Sequence, residues 1–525
     1  MRANPNKPFI LSMYINHERL SYRVSGNGDD MKKQPQFNPL AEEPIPRWYE
    51  IYKRVKLLPW WIRYNVGIAR ESILKDKIIE LCDIIGLDKT DARRLIRHAV
   101  SEFSKNGLGS DYYGYHNINH ELEVTYFTLL AIIGLQKRDQ NRFNQKDIET
   151  LFVAALFHDY DPLKRFDKPH EDDVESFIRG DNKIRKLVQP FKIDLDIVIA
   201  LIHRTAYPFK DSIAEYARKR MSDLFIEAGI PENDINTRTH YEEQGWFLSI
   251  CDRIAGYCLG NFEYSKELAR LNAHAMGWHP SIINENSVKY FTALKEEKSM
   301  LEPVLQAIPE EFKKNFYDNV ASFREAWENE VQIRAMLRRK ELNLVTVVEN
   351  TDDMPTNLIN SIMKMYKEIH APISPNEVDF KKSLCAKETI LITLRTNTPS
   401  GHVVGYVNGG PLERYKLRRG TNDEKFGRKN TVYMEWIRIK PEYLGETGGH
   451  LLRSGFLHEA RHRKYEFVSS YVHRDVIASR INKGESIEIV QKYDPDKLDY
   501  YRADLSKLVR PMPLVGFSKD ESLSS

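Results

Sequence analysis

The feature that most constrains this 525-residue chain is a switch in hydrophobic period near residue 340. Before it, apolar residues recur at helical spacing. Leu74, Ile78, Leu81, Cys82 and Ile85 share one face, and ETLFVAALFHDY, LDIVIALIHRT and GWFLSICDRIAGYCLG are apolar and helix-length. Polar connectors carrying Pro162, Pro169, Pro208 and Pro231 separate them. After it, LNLVTVVEN, ETILITLRT, HVVGYVNGG, TVYMEWIRIK and YEFVSSYVH are rich in β-branched and aromatic residues, as strands are. Helical candidates TNLINSIMKMYKEIH and GGHLLRSGFLHEARHR lie between them. The fold class expected is multidomain: an all-α bundle over 46–335, then an α+β domain over 336–510. Residues 1–45 mix Asn, Pro, Gly, Lys and Asp and are expected to be a flexible extension, and 511–525 a disordered tail. At this length one core is too few, which agrees with two domains.

The formal net charge is +3, and charged residues make up 29% of the chain. That balance gives no bulk electrostatic argument for nucleic acid or an anionic membrane. No apolar run approaches the ~20 residues of a membrane span. The four cysteines, Cys82, Cys251, Cys258 and Cys385, form no CxxC pair, so a cysteine zinc site or disulfide framework is not expected. A cytoplasmic location is the expectation.

The chemistry concentrates in a few polar residues set in apolar surroundings. His116 and His120 are four apart in YHNINHELEV and would share a helix face. His158 and Asp159 end an apolar helix, and Asp252 lies inside another. A buried carboxylate is costly unless a cation or donors satisfy it. One metal ion can satisfy both aspartates together with the histidines. His and carboxylate ligands suit Zn, Mn, Fe or Mg.

In order and context these residues resemble the HD superfamily of metal-dependent phosphohydrolases. YHNINHELEV is similar to the YHNxxHxxxV segment of its cyclic-nucleotide phosphodiesterase branch. The resemblance covers roughly residues 110–260. It implies His116 as general acid, and His120, His158, Asp159 and Asp252 as ligands of a first divalent metal. Asp159 would be able to bridge to a second. By the same resemblance His170 and His203 are candidate ligands near that second metal; the alternatives are a surface histidine and a satisfied core histidine. Lys164, Arg165 and Arg204 are candidates to hold phosphate or ordinary surface charges. The implied reaction is hydrolysis of a nucleotide or cyclic-nucleotide phosphoester.

In the second half, VYMEWIRIKPEYLGETGGHLLRSGFLHEARHRKYEFVSSYV reads strand, Gly-rich turn, helix, strand. Such a turn can present backbone N–H groups to a pyrophosphate. Over roughly 341–508 the sequence resembles the acyl-CoA-binding core of the GNAT acetyltransferases. That family's turn reads Arg/Gln-x-x-Gly-x-Gly/Ala. Here Leu444 and Thr447 depart from it, Glu446 adds negative charge, and Gly445, Gly448 and Gly449 are the candidate acetyl-CoA contacts. HRDVIASRINKGE resembles the family's Asn-x-x-Ala helix, with Asp475 in place of the asparagine, Ala478 matching, and Asn482 where many members put a tyrosine. Three functions are thus open: an HD phosphohydrolase with an acyl-CoA-binding domain, an N-acetyltransferase regulated by a nucleotide-binding HD domain, and a non-catalytic two-domain sensor.

Overall fold

The computed structural model describes residues 59–65, 67, 69–106, 115–161, 170–275, 279–369, 375–445, 447–493 and 497–507. The expected N-terminal extension and C-terminal tail lie outside these residues, as do Lys164, Arg165 and Glu446. The described chain divides into two compact units at Trp327/Glu328, a point inside the single helix Glu310–Arg338. Among the described residues, no helix is long and apolar enough to cross a membrane.

The first unit is helical throughout its described residues. Six helices position its polar centre: α1 (Arg70–Ile84), α2 (Ile118–Gln136), α3 (Gln145–Phe157), α4 (His170–Gly180), α5 (Leu195–His203) and α6 (Ile235–Leu259). Four of them begin at a side-chain cap. The Asn117 side chain accepts the N–H groups of Asn119 and His120 and starts α2. Asn144 and Asp147 form a capping box at α3. Asp194 and Asp234 cap α5 and α6.

α2 is the centre of the bundle. It is buried on all sides, from His120 through Leu135, and α1, α3 and α6 pack around it. A largely apolar helix buried on most of its surface has little solvent face to present, so the others surround it. Gly134 lets the chain approach closely here: a Cβ at that position would lie 1.7 Å from the Ala307 carbonyl oxygen. One continuous core, including Phe127, Phe152, Phe157 and Phe247, fills the unit.

The second unit is built on an eight-stranded mixed sheet. Its strands are β1 (Leu344–Val348), β2 (Ile390–Thr396), β3 (Val403–Pro411), β4 (Thr431–Met434), β5 (Arg438–Ile439), β6 (Phe467–His473), β7 (Ile487–Gln491) and β8 (Leu498–Asp504). The order is β1-β2-β3-β4-β6-β8-β7, with β5 pairing to β3. All pairs are antiparallel except β4–β6, which is parallel over Thr431↔Phe467 to Tyr433↔Ser469. Helices α7 (Thr356–Glu368), α8 (Gly448–His462) and α9 (Arg474–Asn482) accompany it. The core of Ile390, Ile392, Val407, Val432, Phe456 and Val468 joins α8 to the sheet.

The sequence leads us to expect one strand over TVYMEWIRIK; the structure has two. Glu435 turns inward between them, where the Tyr415 hydroxyl (2.9 Å) and Ser383 Oγ (3.2 Å) donate to its carboxylate. β7 and β8 have no counterpart in the sequence reading.

Candidate metal centre

Three elements bring the candidate ligands together. His120 sits in the first turn of α2, where the Asn117 cap fixes the backbone. His158 is the residue that closes α3, and Asp159 follows it in the turn. Asp252 projects from the middle of α6. The turn after α3 is held by a residue the sequence reading passes over. Glu121, fully buried, accepts the Asp159 N–H through Oε1 at 3.1 Å.

The four side chains converge. His120 Nε2 is 3.2 Å from Asp159 Oδ2 and 3.1 Å from Asp252 Oδ1. His158 Nε2 is 3.4 Å from each of the same two oxygens. Both Nε2 atoms are buried, yet neither has a hydrogen-bond partner of acceptable geometry. The pairs are near enough to attract but are not aligned donor to acceptor. Around a cation bonded at about 2.1 Å, neighbouring donors sit roughly 3.0–3.4 Å apart. The four distances above are of this size, the ligand atoms of His120, His158 and Asp252 lie within 4.8 Å of one another, and imidazole with carboxylate suits a divalent first-row ion.

The surroundings fix the imidazole tautomer. His158 Nδ1 is 3.0 Å from the Ala155 carbonyl oxygen and 3.0 Å from Glu121 Oε2. A proton on Nδ1 leaves the Nε2 lone pair free for the common point. Behind α2, the buried Glu123 accepts from the Tyr64 (2.6 Å) and Tyr264 (2.5 Å) hydroxyls.

Without a cation, protons take its place. Burial alone would lower the His120 imidazole, but Asp159 and Asp252 outweigh it and raise it to about 10. His158 is likewise raised: burial opposes the shift, and Asp159 and Glu121 drive it. Burial would raise both aspartates. His116 and His158 instead hold Asp159 well below the usual carboxylate range, and His120 and His158 do the same for Asp252.

The remaining candidates fall in two places. His116 is half-buried at the edge of the cluster, with Nε2 3.5 Å from Asp159 Oδ2. His170 bridges Asp159 Oδ1 and Asp161 Oδ2, at 2.9 Å from each, and its ring stacks on His116 at 5.6 Å. Asp159 therefore turns one oxygen to the four-residue cluster and the other to His170. The Nε2 of His203 meets Glu175 Oε2 at 3.1 Å, and Glu175 is also gripped by Arg220 and Arg179. This places His203 in an ion-pair network rather than among the four converging groups.

In the second unit, Gly445 has φ +85°, a left-handed turn that glycine adopts without strain. Gly448 opens α8 against the Leu394 side chain, where a Cβ would lie 2.9 Å from Cδ2. No side chain caps the start of α8. Gly449 faces more open space, with Ile439 Cδ1 3.8 Å from a Cβ position. Asp475, Ala478 and Asn482 all lie on α9.

No family model matches the sequence, and no curated protein does. Solved structures match over about a third of the chain. The Tetrahymena GCN5 structure is 10% identical, with 32% of this chain and 98% of that one covered and a TM-score of 0.23. A putative GNAT-family acetyltransferase from Desulfovibrio desulfuricans is 16% identical, with 31% and 99% covered and a TM-score of 0.23. The GNAT-family N-acetyltransferase YhbS from Escherichia coli, in complex with CoA, is 15% identical, with 34% and 91% covered and a TM-score of 0.24. Likeness at this level says nothing about the chemistry of this chain.

Proposed function

We propose that the helical unit is a metal-dependent phosphohydrolase of the HD type. One observation carries this reading. Two buried imidazole nitrogens without hydrogen-bond partners stand 3.1–3.4 Å from the carboxylate oxygens of Asp159 and Asp252. Such nitrogens are costly unless something coordinates them. His120, His158, Asp159 and Asp252 would hold a divalent cation, and Mn, Fe, Zn and Mg all accept this donor set. Bound there, a cation supplies Lewis acidity, which makes water a competent nucleophile near neutral pH and neutralises phosphoryl oxygens.

The chain's own groups do the rest. The Ala155 carbonyl keeps the His158 proton on Nδ1, with the Glu121 carboxylate close by. His170, fixed by Asp161, steadies Asp159 from its outer side. His116, at the partly open edge, is the group to hand a proton to the departing alkoxide. The substrate class is a nucleotide or cyclic-nucleotide phosphoester. The test is hydrolysis of bis(p-nitrophenyl) phosphate by the full chain with added Mn. Turnover that falls at least a hundredfold in Asp159→Ala supports the reading. Turnover unchanged by Asp159→Ala, or absent from wild type with each of the four metals, overturns it.

A second reading belongs to the sheet-bearing unit: binding of acyl-CoA. It is favoured by the parallel pair β4–β6, whose pairing ends at Tyr433↔Ser469 while β6 continues to His473. An extended amide would have to meet backbone beyond that last pair, and the uncapped start of α8 suits a pyrophosphate. At Gly449 a Cβ meets only ordinary contact, 3.8 Å from Ile439 Cδ1, and Gly449→Glu adds a carboxylate, so CoA binding by calorimetry should weaken at least tenfold. Equal binding by the variant would refute it.

A further inference from the structure

The segment between β3 and β4 and the turn from α8 into β6 collect positive charge. Residues 412–430 and 459–466 together hold ten lysines and arginines against five aspartates and glutamates. That excess is larger than the +3 of the whole chain, so the rest of the molecule is slightly acidic. The parallel pairing of β4 with β6 brings the two segments to one end of the sheet. Thr431 is in register with Phe467, and the Asn430 carbonyl accepts the N–H groups of Glu466 (2.9 Å) and Phe467 (3.2 Å). The Lys425 ammonium lies 4.9 Å from the centre of the Phe467 ring.

The five carboxylates are engaged locally. Glu413 accepts the N–H groups of Gly427 (3.1 Å) and Lys429 (2.7 Å). Asp423 is buried and takes Arg502 Nη1 (2.6 Å) and the Tyr500 hydroxyl (2.8 Å). Glu424 meets Lys425 and Arg502, each at 3.2 Å. Glu459 takes Arg463 Nε (2.6 Å), and Glu466 takes Asn430 Nδ2 (2.7 Å). Arg428, Lys429, Arg461 and Lys464 are exposed, and their side chains meet no carboxylate among the described residues. Lys429 and Lys464 also stand in left-handed turns, at φ +58° and +66°, which glycine would adopt without strain. Phe426 is the one large apolar side chain of these described segments that is exposed, at 39%.

Four outward cations without internal partners raise the local potential and attract a polyanion. A lipid surface would need an apolar face to bury, and one phenyl ring does not supply it. A ring set among cations suits an unpaired nucleic-acid strand, with phosphates on the cations and a base on the ring. We propose that this end of the sheet-bearing unit is a docking surface for single-stranded nucleic acid, held by Arg428, Lys429, Arg461 and Lys464 and stacked on Phe426.

The test is fluorescence anisotropy of a labelled oligouridine of about 15 nucleotides, titrated with the full chain at several salt concentrations. Wild type should bind, and more weakly as salt rises. The fourfold variant Arg428→Ala, Lys429→Gly, Arg461→Ala, Lys464→Gly should bind at least tenfold more weakly. Its slope of log K against log salt should be shallower by about 3, from four lost phosphate contacts. Its melting temperature should hold, because the glycines relieve left-handed strain and the arginines meet no carboxylate. Arg428→Lys with Arg461→Lys keeps the charge and should bind as wild type does. Phe426→Ala should weaken binding at least threefold at an unchanged slope. Arg93→Ala with Arg97→Ala, at exposed positions of the helical unit, should change nothing. No binding by wild type, binding indifferent to salt, equal binding by the fourfold variant, or loss of binding in Arg428→Lys with Arg461→Lys would each overturn the proposal. So would an equal loss in Arg93→Ala with Arg97→Ala, or an unchanged affinity in Phe426→Ala. If phosphatidylserine vesicles capture wild type and the oligouridine does not bind, the surface belongs to a membrane and the proposal fails.

Discussion

Glu121 is the residue whose removal says most about the cluster without touching a proposed ligand. Its two oxygens serve two different members: Oε1 accepts the Asp159 N–H, and Oε2 meets His158 Nδ1. Glu121→Gln keeps the shape but replaces an acceptor with a donor. Metal affinity, read by competition with a chelator, should fall about 10- to 100-fold; an unchanged affinity would remove Glu121 from the account. The pH response follows from the same contacts. In metal-free protein the folded His120 titrates near 10 against an ordinary value of 6.5. A raised pKa contributes stability that is whole below 6.5 and is lost as pH rises toward 10. Asp159 and Asp252 are lowered, so their contribution is present above the ordinary carboxylate value and is lost as pH falls below it. Metal-free protein should thus be most stable between roughly pH 4 and 6.5, and denaturant midpoints across pH check this. The alkaline decline should shrink in His120→Asn without vanishing, because His158 and His170 are raised as well. At this scale the sequence was readable where side chains were of the ligating kind in apolar runs, as with His158, Asp159 and Asp252. Glu121 escaped because a glutamate beside a histidine in a helix reads as a solvated charge, and only packing of α3 onto α2 buries it.

At the scale of elements, the placement of α2 decides whether the imidazole of His120 can reach the other helices. Its C-terminal half packs too closely for any side chain at position 134. A Cβ there would fall 1.7 Å from a backbone oxygen, Ala307 O, which has no rotamer to escape by. Gly134→Ala should destabilise the helical unit by about 1–3 kcal/mol or more. Gly180→Ala, with nothing within 4 Å of the new Cβ, should be neutral or stabilising by up to about 1 kcal/mol. Urea denaturation of both variants tests the contrast; equal effects would mean α2 is not confined there. The helices were legible because their apolar residues recur at helical spacing. β8 was not, because LDYYRAD buries charges in pairs: Arg474 holds Asp499 at 2.7 and 3.0 Å, and Arg502 holds Asp423 at 2.6 Å. Such a strand does not look apolar until its partners are known. The break between β4 and β5 was hidden for a similar reason, since Glu435 is drawn inward by hydroxyls distant in sequence.

At the scale of the whole molecule, the two units have separate cores. The change of period near residue 340 marks where strands begin, whereas the units divide at Trp327/Glu328 inside a continuous helix, where no local signal exists. If the metal belongs to the helical unit alone, a bound ion should raise only that unit's unfolding transition, by RT ln(1 + [L]/Kd). Scanning calorimetry with and without chelator should show one transition moving and the other fixed. Two transitions that shift together would contradict that assignment. If two imidazoles and two carboxylates meet at one ion, X-ray absorption on the Mn- or Zn-loaded full chain reads both kinds of donor. The expected spectrum has a nitrogen/oxygen shell at about 2.0–2.2 Å, with the outer-shell scattering of two imidazoles, reduced to one in His158→Ala. A spectrum without imidazole scattering, or one unchanged by His158→Ala, would contradict it.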